Sequence, residues 1–103
     1  MTIVAVTACP TGIAHTYMAA ERLEKVGKKL GFSIKVETQG AMGIENELSA
    51  ADIAKADVVL FAVGIPVLKS DRFAGKKIIE IGVQEALKNA EAVLTRIKDE
   101  LGR

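Results

Sequence analysis

The sequence predicts an α/β domain in three layers, with a four-stranded parallel sheet of order 2-1-3-4 and helices on both faces. Three observations predict it. The stretches at 3–6 and 58–63 are continuously apolar, the pattern of parallel strands covered on both sides. Strand-like and helix-like stretches alternate along the chain, which requires crossovers over the sheet faces. The length of 103 residues is enough for one core, so residues 1–103 are read as a single domain.

The first strand, at 3–6, is bounded by Cys9-Pro10 and Gly12. Ala19, Leu23, Val26 and Leu30 then repeat at helical spacing, with Lys28 and Lys29 in the last turn and Gly31 beyond it, the usual chemistry of a helix end. Residues 32–38 alternate apolar and polar and are read as a strand buried on one face, at a sheet edge. Residues 39–43 read as a loop and 44–48 as a helical turn. A short helix starts at Ser49, with Asp52 completing a capping box and Leu48 and Ile53 placed for a hydrophobic staple, and it ends near 56–57. The central strand at 58–63 stops at Gly64-Ile65-Pro66. A weakly patterned segment leads to a fourth strand at 77–81, read as the other edge. A helical turn at 84–88 precedes a closing helix marked by Val93, Leu94, Ile97 and Leu101.

Composition removes several function classes. A net charge of +1 and 4% aromatic residues provide neither a basic face nor stacking platforms for nucleic acid. No apolar run reaches the ~18 to 20 residues of a membrane span, and no signal segment opens the chain, so no direct membrane insertion is expected. The single cysteine cannot form an internal disulfide, in keeping with a reducing cytoplasm. No metal site and no cofactor are expected.

In a sheet of order 2-1-3-4 the chain reverses direction between the first and third strands, and ligands of such sheets bind beyond the strands' carboxyl ends at that switch point. Cys9 follows the first strand, while Gly64, Ile65 and Pro66 follow the third and form the rim. A thiol between a strand and a helix N-terminus faces backbone N–H groups and the positive end of the helix dipole, which lower its pKa and favour a bound anion. Thr11, Gly12, Ile13, Ala14, His15 and Thr16 supply N–H and hydroxyl donors for a phosphate-binding loop around Cys9. A lone cysteine is commonly an inert buried thiol, and the strand-to-helix turn is what favours a nucleophile here. His15 fits both an idle first-turn residue and a charge-holding one. Arg72 is read as a surface arginine.

The block Ala5-Val6-Thr7-Ala8-Cys9-Pro10-Thr11-Gly12-Ile13-Ala14-His15-Thr16-Tyr17-Met18-Ala19-Ala20-Glu21 resembles the signature of the IIB components, fructose class, of the bacterial phosphoenolpyruvate-dependent sugar phosphotransferase system. The similarity continues through Lys35-Val36-Glu37-Thr38-Gln39-Gly40, Gly43-Ile44-Glu45-Asn46-Glu47-Leu48 and Arg72-Phe73-Ala74-Gly75-Lys76. The resemblance implies a phosphotransferase in which Cys9 accepts a phosphoryl group from a phosphohistidine of a IIA partner. The group then passes to a sugar, fructose or fructose-like, held by a membrane-embedded IIC partner. It implies a cytoplasmic protein associated with the membrane peripherally through IIC. Two alternatives belong to other classes. A low-molecular-weight tyrosine-phosphatase-like enzyme places a cysteine loop after its first strand, but such enzymes have an arginine where this chain has His15, and an Asp-Pro acid absent here. A flavodoxin-like binding module without chemistry would hold a phosphate in the same loop, with a single tyrosine and no tryptophan for stacking a flavin ring.

Overall fold

The computed structural model describes residues 1–8, 13–40 and 43–101. In order, the described elements are β1 (Thr2–Ala8), α1 (Ile13–Lys29), β2 (Ser33–Gly40), β3 (Gly43–Glu45), α2 (Ala50–Lys55), β4 (Val58–Val63), a 3₁₀ turn (Ser70–Phe73), β5 (Ile78–Ile81) and α3 (Val83–Glu100).

These strands form one mixed sheet of order β3-β2-β1-β4-β5. The expected order of the four parallel strands holds, with β1 and β4 at the centre. The sheet differs from a four-stranded all-parallel one because β3 pairs antiparallel with β2, Gly40 opposite Gly43 and Thr38 opposite Glu45. β2 is therefore not an edge. The stretch read as loop and helical turn folds back as a hairpin instead. Gly43 sits at φ +87°, a left-handed conformation that glycine adopts without Cβ strain, and Asn46 ends the short strand at φ 54°.

Two cores lie on the two faces. On one, Ile3, Ala5, Val58, Leu60 and Val36 of the sheet pack against Ala19, Ala20 and Leu23 of α1 and against Ala86, Val93, Leu94 and Ile97 of α3. Each fully buried large aliphatic side chain here contributes on the order of 1.5 to 3 kcal/mol. α1 approaches β2 closely through Gly27: a Cβ there would meet Ile34 Cγ2 at 2.8 Å. α1 closes with Phe32 N–H donating to Gly27 O at 2.8 Å and Gly31 at φ +83°, as its lysine-then-glycine end predicts. The helical turn and the closing helix expected near the C-terminus are the two parts of α3, divided by a kink where Asn89 leaves helical geometry at φ −136°, ψ 42°.

The opposite face carries a smaller cluster, in which Val4, Val6, Val59 and Phe61 meet Leu48, Ile53, Ala56 and Phe73. Phe61 and Phe73 stack edge to face at 5.4 Å. The capping box of α2 is present: Ser49 Oγ accepts from Asp52 N–H at 3.1 Å, and Asp52 Oδ2 accepts from Ser49 N–H at 2.9 Å. Lys35 Nζ, 2.7 Å from Asp52 Oδ2, and the Ser49 bonds push the Asp52 carboxyl down to about 2. Lys76 Nζ donates to Ala54 O and Ala56 O, closing the C-terminal end of α2.

Candidate functional site

The carboxyl ends of β2, β1 and β4 meet in register, with Gln39 beside Ala8 and Ala8 beside Val63. β1 and β4 remain joined one step beyond the ladder, where Gly64 N–H donates to Ala8 O at 2.7 Å. Four residues separate Ala8 from Ile13, the first residue of α1. The start of α1 is fixed to β1 by Thr7, whose buried Oγ1 donates to Thr16 O at 3.1 Å. No acidic side chain stands in the first turn of α1, so the dipole end of this 17-residue helix keeps its attraction for an anion.

These elements bring Ile13, Ala14, His15 and Thr16 to the start of α1, and Gly64, Ile65 and Pro66 to the loop after β4, at one end of the sheet. Ala14 is exposed, His15 half-buried and Thr16 buried. Cys9, Thr11 and Gly12 lie outside the described residues. The rim opens on a depression lined by Phe61, Val63, Gly64, Ile65, Pro66 and Val67.

A polar assembly that sequence reasoning missed lies beside this end. Glu37 is 0% exposed, within a strand whose alternation placed its side chain in solvent. Arg72 spans it with both arms, Nη1 to Oε1 at 2.8 Å and Nη2 to Oε2 at 2.9 Å. Leu48 N–H donates to the same carboxylate at 2.9 Å, and Gln39 Nε2 at 2.7 Å. Burial alone raises the Glu37 pKa, but these bonds and the Arg72 charge outweigh it and hold the carboxyl below its ordinary range. Bonding to Glu37 correspondingly raises the Arg72 pKa.

Arg72 is thus not a surface arginine: its side chain is 17% exposed, its guanidinium lies 4.8 Å from the centre of the Phe73 ring, and Nε donates to Lys69 O at 2.9 Å. Gln39 completes the assembly by gripping the backbone of Leu68, its Oε1 accepting from Leu68 N–H at 2.8 Å and its Nε2 donating to Leu68 O at 3.2 Å. The sequence signal was the pairing of Glu37 and Gln39 on one face of β2, two polar residues where Val4 and Val6 of β1 face an apolar cluster. The arginine, 35 positions downstream, carried none.

On the α1 side of β2, Thr38 Oγ1 is the buried side-chain polar atom without a hydrogen-bond partner among the described residues. No group of acidic, histidine or cysteine side chains suited to a metal occurs among the described residues. No helix among them is long and apolar enough to cross a membrane.

Residues 4–96 match the family model described as "PTS system, Lactose/Cellobiose specific IIB subunit". The chain is 50% identical over 101 residues to the PTS system fructose-like EIIB component 2 of Escherichia coli (strain K12), covering 98% of this chain and 95% of that one. It is also 50% identical over 93 residues to the PTS system 2-O-alpha-mannosyl-D-glycerate-specific EIIABC component of the same strain. That match covers 90% of this chain but 14% of the relative. Among solved structures, the Enzyme IIB subunit of the PTS system from Escherichia coli K12 superposes with a TM-score of 0.92 at 40% identity, covering 98% of this chain and 94% of that one. The YwlE arginine phosphatase, at 14% identity and a TM-score of 0.52, shares the fold alone. On these matches the chain belongs to the IIB family of the sugar phosphotransferase system, in its fructose class.

Proposed function

We propose that residues 1–103 act as one phosphocysteine carrier, with Cys9 as the nucleophile and Thr11, Gly12, Ile13, Ala14, His15 and Thr16 as the loop that holds the phosphoryl oxygens. The observation that carries the reading is the convergence of the β1 end, the acid-free start of α1 and the rim after β4, with Cys9 following directly on β1. The Cys9 thiolate attacks the phosphorus of a phosphohistidine on a IIA partner. An S–P bond forms as the P–N bond breaks, and the released imidazole takes a proton from water. A hydroxyl of a fructose-like sugar held by a IIC partner then attacks the phosphorus. The S–P bond breaks, the thiolate is restored, and the hydroxyl proton leaves to a base or to water. Positioning and charge stabilisation supply most of the catalysis in such transfers.

The loop holds no obvious carboxylate to activate water, which suits a group that must survive between two partners. Gly64, Ile65 and Pro66 form the rim against which partners seat. The protein works in the cytoplasm and meets the membrane peripherally through IIC. The test is incubation with phosphorylated IIA followed by mass spectrometry. One phosphoryl group on Cys9, absent from Cys9→Ser, is expected. A label that persists in Cys9→Ser overturns the assignment. Appreciable turnover of an aryl phosphate by the same preparation overturns the carrier reading in favour of a phosphatase.

A further inference from the structure

The rim after β4 is anchored at two points on the strands that frame the site. Gly64 N–H is bonded to Ala8 O, one residue before Cys9, and Leu68 is gripped through both its N–H and its C=O by the side chain of Gln39. Gln39 is itself the strand partner of Ala8. The segment between the anchors is therefore a short bridge whose two ends are referred to the same residue of β1.

Gln39 is held rigidly in turn. Its Nε2 also donates to Glu37 Oε2, which Arg72 Nη2 fixes at 2.9 Å, and Arg72 reaches back to Lys69 O and Leu68 O. Both donor positions of the Gln39 amide and one of its two acceptor positions face the clamp: donor contacts to Glu37 and Leu68 O, and one acceptor contact from Leu68 N–H. The clamped segment is under conformational constraint. Lys69 is left-handed at φ 57°, and its Nζ pairs with Glu47 at 3.1 Å. The Leu68 side chain is left 59% exposed at this fixed point. An apolar side chain on a backbone held at both polar atoms is a preorganised contact for a protein partner, since ordering on docking is already done.

We infer that Gln39, braced by Glu37 and Arg72, is a positioning residue. It sets the Gly64–Leu68 rim relative to Cys9 and so the affinity for the phosphoryl donor protein, without touching the transferred group. The inference rests on the carrier reading above. Gln39→Met removes the amide at similar volume, and Gln39→Asn keeps an amide one methylene short of Leu68.

Two readouts test the inference. Amide hydrogen exchange followed by NMR reads the clamp in the isolated protein, and steady-state transfer from phosphorylated IIA reads docking. Both variants are expected to speed exchange at the Leu68 N–H by about tenfold or more and to raise KM for phosphorylated IIA about tenfold, with kcat changed less than about twofold. Equal falls in kcat and kcat/KM, or an unchanged KM with accelerated Leu68 exchange, overturn the inference. If Gln39→Met fails to fold, Gln39→Asn carries the same test. Failure of the wild type to take a phosphoryl group on Cys9 overturns the carrier reading instead, and unchanged Leu68 exchange in the variants overturns the clamp irrespective of activity.

Discussion

The two faces of the sheet are built on different principles. The face under α1 and α3 is filled by aliphatic side chains from six elements, with charge confined to an exposed Lys29–Glu91 pair at its surface. The face under α2 and the 3₁₀ turn has a smaller apolar cluster, and at the end near the candidate site it is finished by a carboxylate, a guanidinium and an amide. Hydrophobic packing is non-directional and tolerates small shifts, whereas a bidentate ion pair with a reciprocal amide specifies distance and angle. The first face makes the domain stable. The second gives one loop a defined place, beside the candidate site.

Breaking the polar face should have the larger effect. Arg72→Ala strands the Glu37 carboxylate away from solvent and is expected to cost about 3 to 5 kcal/mol, read as a lowered urea midpoint. Neutralising both partners, Glu37→Gln with Arg72→Met, should recover much of that loss, because the isolated charge rather than the missing attraction is the main penalty. Recovery would show that the pair specifies geometry more than it stabilises. On the apolar face, Leu94→Ala, at a fully buried position, is expected to cost about 2 to 5 kcal/mol, with no partner substitution that restores it except one that refills the volume.

The smallest effect separates the faces by pH. The folded-state pKa of Glu37 is depressed, so its contribution is fully present above the ordinary carboxylate pKa of about 4.3 and is lost as pH falls below it. Urea midpoints between pH 7 and pH 3 should therefore drop more steeply for the wild type than for Glu37→Gln. Asp52, pushed down to about 2 by exposed Lys35 and the Ser49 cap, titrates alike in both and cancels in the difference. Leu94→Ala should keep the wild-type pH slope at a lower midpoint.

The apolar face was legible in the sequence because its signals are periodic and local. The run at 58–63 and the spacing of Ala19 and Leu23 each declare an element from within a few residues, as the Ser49 and Asp52 cap does for α2 on the other face. The polar face was not, because its parts are far apart in the chain and each looks like surface when read alone: Glu37 as the outward half of an alternation, Arg72 as a cation in an unpatterned segment. The hairpin to β3 was missed for a related reason. Three residues are too few to show a period, and the two glycines that bracket the turn read equally well as a loop. Near the candidate site, the end of β1, the start of α1 and the loop after β4 lie at one end of the sheet, as the expected strand order requires. The brace that holds the rim became visible once tertiary pairing put Gln39 beside Ala8 and opposite Leu68.

The three-residue strand β3 has a consequence for the company this sheet keeps. An open parallel sheet ends in rows of unpaired backbone donors and acceptors, and such an edge recruits any extended segment that drifts against it. Here the carboxyl half of β2 is already taken, since Thr38, Gln39 and Gly40 pair with Glu45, Ile44 and Gly43. β3 is too short to template a full strand in its place. That end of the sheet is thereby insulated against strand exchange with extended segments of other chains. The same insulation suits a fold that, in the EIIABC relative, is one part of a much longer chain.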